Sequence, residues 1–150
     1  MSREIERKFL VRGNFIHLAE KKIDIIQTYL SIDSSKSIRL RVYEDKAFIT
    51  IKSKIEDYTI SRNEWEYRIP TEDVEELLKI CLPGKIVKTR FLVPSGEKHT
   101  FEVDVFHDKN EGLIIAEIEL SSEDEEFEKP DWLGDEVTGL SQYYNVNLRK

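Results

Sequence analysis

The sequence predicts a mainly β domain of the α+β class, in which eight antiparallel strands form a closed or nearly closed barrel with a few helices packed outside. The first observation is that eight segments alternate apolar and polar residues with a period of two, which is typical of strands. The second is that most connections are short and polar, such as residues 33–36 and 44–45, and short links favour antiparallel neighbours. Eight strands with few helices in 150 residues favour a sheet that closes on itself.

The strands are predicted, in chain order, at residues 3–11, 23–32, 37–44, 46–55, 60–69, 85–95, 98–106 and 113–121. A short helix capped by Asn14 is expected to run through Glu20. A better helix is expected from Thr71 to Leu82, with Thr71 as its N-cap and Pro83 just beyond its end. Its apolar stripe is formed by Val74, Leu77, Leu78 and Cys81, which makes Cys81 a predicted core residue.

Two further segments complete the prediction. Residues 121–129 carry five acidic side chains, and an acidic run of this kind usually forms a solvated loop. The tail from Asp135 is expected to end in a short helix. The whole chain, residues 1–150, is expected to be one domain, because its length suits a single core.

The composition excludes several classes of function. A net charge of −7 argues against nonspecific binding to nucleic acid, which requires a basic surplus. One cysteine excludes a disulfide framework and a cysteine-based zinc site. No apolar run approaches 18 residues, and the first residues carry charges where a signal peptide has its apolar stretch, so the expected location is the cytoplasm.

Alternation also gathers the ionic side chains on one face of nearly every strand. The polar faces are cationic in the third, fourth and sixth strands, anionic in the seventh and eighth, and mixed in the first and fifth. In chain order they carry Glu4, Glu6 and Lys8; Gln27, Tyr29 and Ser31; Arg39 and Arg41; Thr50, Lys52 and Lys54; Arg62, Glu64, Glu66 and Arg68; Lys88 and Arg90; Glu102 and Asp104; Glu117 and Glu119.

Two interpretations of these faces remain open at this point. They are the wet side of an ordinary antiparallel sheet, or they line the interior of a closed barrel whose apolar outer faces the helices cover. A lumen with this many ions needs water and a charged ligand, because unpaired buried ions cost several kcal/mol each. Arginine and lysine suit phosphate oxygens, and carboxylates suit Mg²⁺ or Mn²⁺, so the lumen would fit a metal–polyphosphate complex.

The residues also resemble a known family, the CYTH family or triphosphate tunnel metalloenzymes. The Glu-x-Glu-x-Lys opening at Glu4, Glu6 and Lys8 is similar to the family signature. Further similar motifs follow in the family's order over essentially the whole chain, at residues 38–41, 50–52, 62–66, 88–91, 102–106, 112–120 and 132–138. The resemblance implies an eight-stranded tunnel that binds a triphosphate with one or two divalent metals.

The resemblance also implies roles for individual residues. The metal positions are matched by Glu4, Glu6, Glu117 and Glu119, with Asp104 on the same anionic face. The phosphate positions are matched by Lys8, Arg39, Arg41, Lys52, Lys88 and Arg90, with Arg62 and Tyr29 as weaker candidates. Glu64 and Glu66 are supporting or second-metal ligands, and Lys88 is also a catalytic candidate. In the hydrolysis that these residues support, a second metal, or a carboxylate such as Glu64 or Glu66, would activate the water. The tail departs from the family pattern, because Leu140 and Gln142 stand where an aspartate and an arginine are usual.

The favoured function is metal-dependent hydrolysis of a triphosphate, with inorganic triphosphate ahead of nucleoside or thiamine triphosphates. One alternative is a class IV adenylyl cyclase that makes cyclic AMP from ATP. Another is a module that binds polyphosphate or nucleotide without catalysis. A homodimer would cover exposed apolar strand faces. No nucleic-acid or membrane partner is expected.

Overall fold

The computed structural model describes residues 2–56 and 60–149 and contains the eight predicted strands in the predicted order. Every strand end agrees with its predicted position to within two residues. The strands are β1 (Ser2–Val11), β2 (Lys21–Ile32), β3 (Lys36–Tyr43), β4 (Lys46–Lys54), β5 (Ser61–Ile69), β6 (Ile86–Ser95), β7 (His99–Phe106) and β8 (Ile114–Glu119). A short strand, β9 (Leu133–Glu136), is an addition that alternation did not predict.

The eight strands close into an antiparallel barrel, which confirms the predicted fold. The hydrogen-bonded order is β5-β4-β3-β2-β6-β7-β8-β1, and β1 returns to β5 through a pairing that sets Ser2 opposite Glu64 and Ile5 opposite Ser61. On β1, Phe9 faces Ala116 of β8 and Glu136 of β9. These two neighbours therefore occupy opposite edges of β1, and β9 lies outside the barrel ring.

Closure turns the ionic faces inward, so the wet-face interpretation is wrong. Seven ionic side chains on these faces are buried in the folded chain: Glu4, Lys8, Arg39, Lys88, Arg90, Asp104 and Glu117. An open sheet with a solvated polar face would leave such groups exposed to water. The strands therefore enclose an ionic lumen and direct their apolar side chains outward.

The apolar outer face is covered differently from the prediction. Over β1, β7 and β8 it is covered by the irregular segment between β8 and β9, whose Phe127 and Trp132 pack on Phe9 and Phe101. The Phe101 and Trp132 rings meet edge to face with centroids 5.2 Å apart. Aromatic rings bury much area per residue, so a segment without helical periodicity can still cover a core.

The helices are shorter than predicted. Residues 16–18 form a single 3₁₀ turn in place of the helix expected up to Glu20. The second helix starts as a 3₁₀ turn over Thr71–Asp73 and continues as α1 (Val74–Ile80), so its N-cap is Asp73 and not Thr71. Pro70, which precedes the helix, has an extended backbone. The chain then enters the helix through the 3₁₀ turn, as is common at helix N-termini.

The stripe of α1 is only partly covered, because the helix spans two turns and packs on little besides β2. Leu78 is 50% exposed, and Cys81 is only half-buried, so its prediction as a core residue is wrong. The tail does end in a short helix, α2 (Asn145–Leu148), as predicted. Within the described residues, no helix is long and apolar enough to cross a membrane.

The acidic segment has neither helix nor strand, as predicted, yet it is anchored at several points. Glu123 accepts a 2.6 Å hydrogen bond from the hydroxyl of Ser61, and Glu125 pairs with His99. Phe127 of this segment packs on the outer core. The segment therefore lies against the barrel and is only partly a solvated loop.

Gly134 on β9 allows this strand to approach β1 closely. A Cβ at Gly134 would lie 2.9 Å from the carbonyl oxygen of Leu10. We expect Gly134→Ala to lower the free energy of unfolding by about 1–3 kcal/mol, because the backbone atoms must separate. Thermal melts followed by circular dichroism measure this, with the exposed neighbour Asp135→Ala as a control that melts like the parent. Equal melting temperatures for all three proteins would show that β9 shifts without cost.

Candidate active site

The lumen contains two cavities that share several wall residues. The smaller has a volume of about 280 Å³, and the larger, about 400 Å³, extends toward the β2–β3 hairpin and the C-terminal segment. Both are lined by Glu6, Arg39, Lys52 and Asn145, so they are two halves of one interior. The smaller half carries most of the ionic groups: Glu4, Glu6, Arg39, Arg41, Lys52, Glu64, Glu66, Arg90, Glu102, Glu117 and Glu119.

Apolar side chains pack together at one end of the barrel, beside the larger cavity. The strand-end residues Ile86, Phe106 and Ile115 pack with Tyr29 and with Leu148 of α2. The same C-terminal segment reaches the ionic lumen, because the Lys8 ammonium donates a 3.0 Å hydrogen bond to the carbonyl oxygen of Tyr143. The C-terminal segment therefore contacts both the apolar cluster and Lys8 of the ionic lumen.

Glu4 is held by two cations. Its carboxylate oxygens accept hydrogen bonds of 2.8 Å each from the Lys52 ammonium and the Arg62 guanidinium. Burial opposes ionisation, but Lys52 and Arg62 outweigh it and lower the pKa of Glu4 to about 2. Glu4 is thus a carboxylate at neutral pH.

The other β1 and β8 carboxylates lie directly across one ladder. Glu6 is opposite Glu119, and Lys8 is opposite Glu117 with its ammonium 3.5 Å from the Glu117 carboxylate. Burial and the negative charges of Glu117 and Glu4 raise the pKa of Glu6 to about 8. Burial likewise raises the pKa of Glu119.

This donor set fits a hard divalent cation. The raised pKa of Glu6 reports an excess of negative charge that a cation beside it would relieve, and oxygen ligands suit Mg²⁺ and Mn²⁺. Among the described residues, no three acidic, histidine or cysteine side chains are already gathered as a coordination cluster. The carboxylates are instead partly neutralised by Lys8, Lys52 and Arg62.

A network of buried ionic side chains adjoins the smaller cavity, which Arg90 of the network lines. Arg90 donates two hydrogen bonds, of 2.8 and 2.9 Å, to the two carboxylate oxygens of Asp104, and the Lys88 ammonium lies 2.8 Å from Asp104. Burial, together with Arg90 and Arg41, lowers the pKa of Lys88 to about 7, although Asp104 opposes this shift. The remaining edge of Arg90 meets Glu102 at 2.9 Å. Asp104 therefore fixes the orientation of Arg90.

The β3 arginines are paired more weakly. Arg39 donates to the hydroxyl of Thr50 at 3.2 Å and lies 4.0 Å from Glu66. Arg41 donates two hydrogen bonds to the side-chain oxygen of Gln27. Burial, Arg39 and Arg90 lower the pKa of Arg41 to about 9.

Every residue of the predicted site lies on the inward face of its strand, but not all of them line a cavity. Lys88 and Asp104 line neither half, and each is at most 1% exposed. Their predicted contacts with substrate and metal remain predictions. Tyr29 lines the larger half and also packs at the apolar end.

Several lumen residues had no predicted role. Alternation predicts the inward face for both Glu102 and Gln27. It does not indicate that Glu102 pairs with Arg90, and Gln27 carries no charge that would point to a metal or a phosphate. Thr50 was missed for the same reason as Gln27; it donates a 2.9 Å hydrogen bond to Glu66. Asn145 follows no strand pattern, so no signal in the sequence places it in the lumen.

Comparison with known proteins agrees with this geometry. The chain is 44% identical over its full length to an inorganic triphosphatase of Acetivibrio thermocellus, covering 95% of that protein. It is 34% identical to an inorganic triphosphatase of Nitrosomonas europaea over 97% of this chain and 95% of the relative. A crystal structure of an inorganic triphosphatase superposes with a TM-score of 0.70 at 32% identity, covering 99% of this chain and 95% of the other.

The family assignment follows from the match along the chain. Residues 2–147 match the CYTH domain, which spans all nine strands and most of the C-terminal segment. The chain belongs to the CYTH domain family.

Proposed function

We propose that this protein hydrolyses inorganic triphosphate to pyrophosphate and phosphate with a divalent metal. The observation that carries the proposal is the closed lumen. Among the described residues, its smaller half alone is lined by seven carboxylates and four cations. Two relatives at 44% and 34% identity that are named inorganic triphosphatases support the choice of substrate.

The cations bind the phosphates. Arg39 and Arg41 from β3 and Arg90 from β6 line the smaller cavity, and guanidinium N–H groups bind phosphate oxygens well. Lys8, Lys52 and Arg62 add charge from β1, β4 and β5, and Lys88 lies 2.8 Å from Asp104, which holds Arg90. Phosphoryl transfer depends mainly on such positioning and charge neutralisation.

The carboxylates Glu4, Glu6, Glu117 and Glu119 would hold the metal, Mg²⁺ or Mn²⁺. When bound, it would supply positive charge toward the phosphate oxygens and lower the pKa of water. Asp104 supports this site by orienting Arg90, since its oxygens already accept from Arg90.

Glu64 and Glu66 are the candidates that take a proton from the attacking water. Burial raises the pKa of Glu64, despite Lys52 at 3.7 Å, and a base works best when its pKa approaches the working pH. Glu66 accepts a hydrogen bond from Thr50, which orients its carboxylate.

A phosphate-release screen tests the function. Purified protein is given inorganic triphosphate, ATP, GTP, thiamine triphosphate or pyrophosphate, each with Mg²⁺ or Mn²⁺, while cyclic AMP is assayed in parallel. We expect the highest kcat/KM with inorganic triphosphate. Cyclic AMP as the main product from ATP would replace the proposal with the cyclase alternative, and binding without turnover would leave a binding module.

Metal removal is expected to abolish catalysis. In EDTA, phosphate release should fall to background because the carboxylates lose the cation that neutralises the substrate, and excess Mg²⁺ or Mn²⁺ should restore it. A thermal melt in EDTA is the control that the chain is still folded. Full activity in the chelator would refute the metal assignment.

A further inference from the structure

Gln27 occupies an unusual position in the lumen. It lies on the inward face of β2 between Ile25, which lines the smaller cavity, and Tyr29, which lines the larger one. Its side chain is 1% exposed, and the β2–β3 register sets it directly opposite Arg41. A neutral amide is thus buried in the barrel wall beside ionic side chains, and Gln27 itself lines neither cavity.

The amide has a defined orientation. Arg41 donates to the Gln27 oxygen from Nε at 3.0 Å and from Nη2 at 2.9 Å. A guanidinium has donors only, so the oxygen of Gln27 must face Arg41 and its NH₂ group must face away. That NH₂ group is buried and has no hydrogen-bond partner among the described residues.

Buried donors are nearly always paired, so an unpaired one indicates a missing acceptor. A second such donor lies nearby, since the Nε of Arg39 is also buried without a partner. Arg39 is two residues from Arg41 on β3, and Arg39 is opposite Tyr29. Two buried donors on adjacent strands therefore have no hydrogen-bond partner among the described residues.

Arg41 differs in its partner from six other cations on the inward strand faces. Lys8, Lys52, Arg62, Lys88 and Arg90 each lie within 3.5 Å of a carboxylate oxygen, and Arg39 lies 4.0 Å from one. The hydrogen bonds of Arg41 in the described structure go to Gln27, which carries no charge. The pairing fixes the guanidinium without neutralising it.

We propose that Gln27 is a substrate-positioning residue: its oxygen orients Arg41, which lines the smaller cavity, at full charge toward the bound polyphosphate. This inference rests on the proposed function, because the anion that Arg41 would meet is the triphosphate. A glutamate of the same shape would neutralise Arg41 and remove the NH₂ donor, so the uncharged side chain is the one that suits an anion site.

The test is Gln27→Glu, measured by calorimetry with triphosphate in EDTA and by steady-state kinetics in Mg²⁺. We expect affinity to fall by about 10- to 100-fold, the size of a lost charged hydrogen bond. KM should rise by more than kcat falls. The melting temperature should hold or increase, because a new ion pair forms with Arg41. Asn63→Asp, which makes the same change on the outer face of β5, is the matched control and should bind like the parent.

A second variant, Gln27→Met, removes both hydrogen bonds without adding charge and should weaken binding less than Gln27→Glu. Parent-like affinity and KM in both variants would overturn the inference. This holds even if the melting temperature of Gln27→Glu is lower than that of the parent. A parent protein that binds triphosphate in EDTA but does not hydrolyse it would refute the proposed function and leave the Gln27 comparison intact. A parent that does not bind triphosphate would refute both.

Discussion

Replacing Glu117 and Glu119 together by glutamine is expected to lower turnover of triphosphate by orders of magnitude. The change keeps side-chain shape and removes two negative charges from the β8 side of the proposed metal site. A metal that neutralises phosphate oxygens stabilises the transition state more than the bound substrate, so kcat should fall steeply. Phosphate release in Mg²⁺ measures the effect.

Binding of triphosphate without metal should behave in the opposite way. Glu117 lies 3.5 Å from the Lys8 ammonium, so its neutralisation leaves Lys8 free to attract phosphate. Calorimetry in EDTA should therefore show equal or tighter binding, because repulsion between carboxylates and phosphate is reduced. Near-parent turnover would remove these carboxylates from the mechanism.

The matched control also removes two negative charges, but from residues outside the barrel. Glu126→Gln with Glu128→Gln changes exposed side chains of the acidic segment and should leave turnover and binding unchanged. Lost turnover together with lost binding in the Glu117 and Glu119 variant would indicate a collapsed barrel. A circular-dichroism melt separates that outcome from a catalytic effect.

The sequence predicted the barrel well because strand alternation and short connections are local signals. The inward placement of Glu4, Arg39 and Glu117 follows directly from that alternation once the ends of the sheet are joined. Closure itself was not local, since it depends on the pairing of β1 with β5, about 60 residues away along the chain. The family resemblance supplied what the pattern alone left open.

The parts that were missed depend on tertiary contacts. Trp132 and Phe127 cover the outer core from a segment with no periodic pattern, and β9 is too short to show alternation. Alternation gives the face of Lys88 but not its depth, so it could not reveal that Lys88 is fully buried and lines neither cavity. Gln27 carries no charge, and its role is visible only through its contact with Arg41.

The two lumen arginines Arg90 and Arg39 are expected to differ sharply in what they do for stability. Arg90→Ala removes the cation that binds both oxygens of Asp104, a carboxylate that is 1% exposed. Removing one partner of a buried ion pair costs about 3–5 kcal/mol, so this variant should melt early as well as lose activity. Arg39→Ala should lose affinity for triphosphate while its melting temperature holds. The reason is that Arg39 is weakly paired, with its guanidinium 4.0 Å from Glu66 and 3.2 Å from Thr50.

A second substitution separates the structural and functional roles of Arg90. Adding Asp104→Asn to Arg90→Ala removes a buried carboxylate that has kept only Lys88 as its cationic partner. We expect it to recover part of the lost stability, because Lys88, whose pKa is already lowered to about 7, can give up its proton when the carboxylate is gone. Phosphate release should stay at the level of Arg90→Ala, because the guanidinium that faces the cavity is still missing. Circular-dichroism melts and kinetics on the parent, Arg90→Ala and the double variant measure both effects. Recovery of activity along with stability would mean that Arg90 serves the fold alone, and the phosphate site would then depend on the β3 arginines.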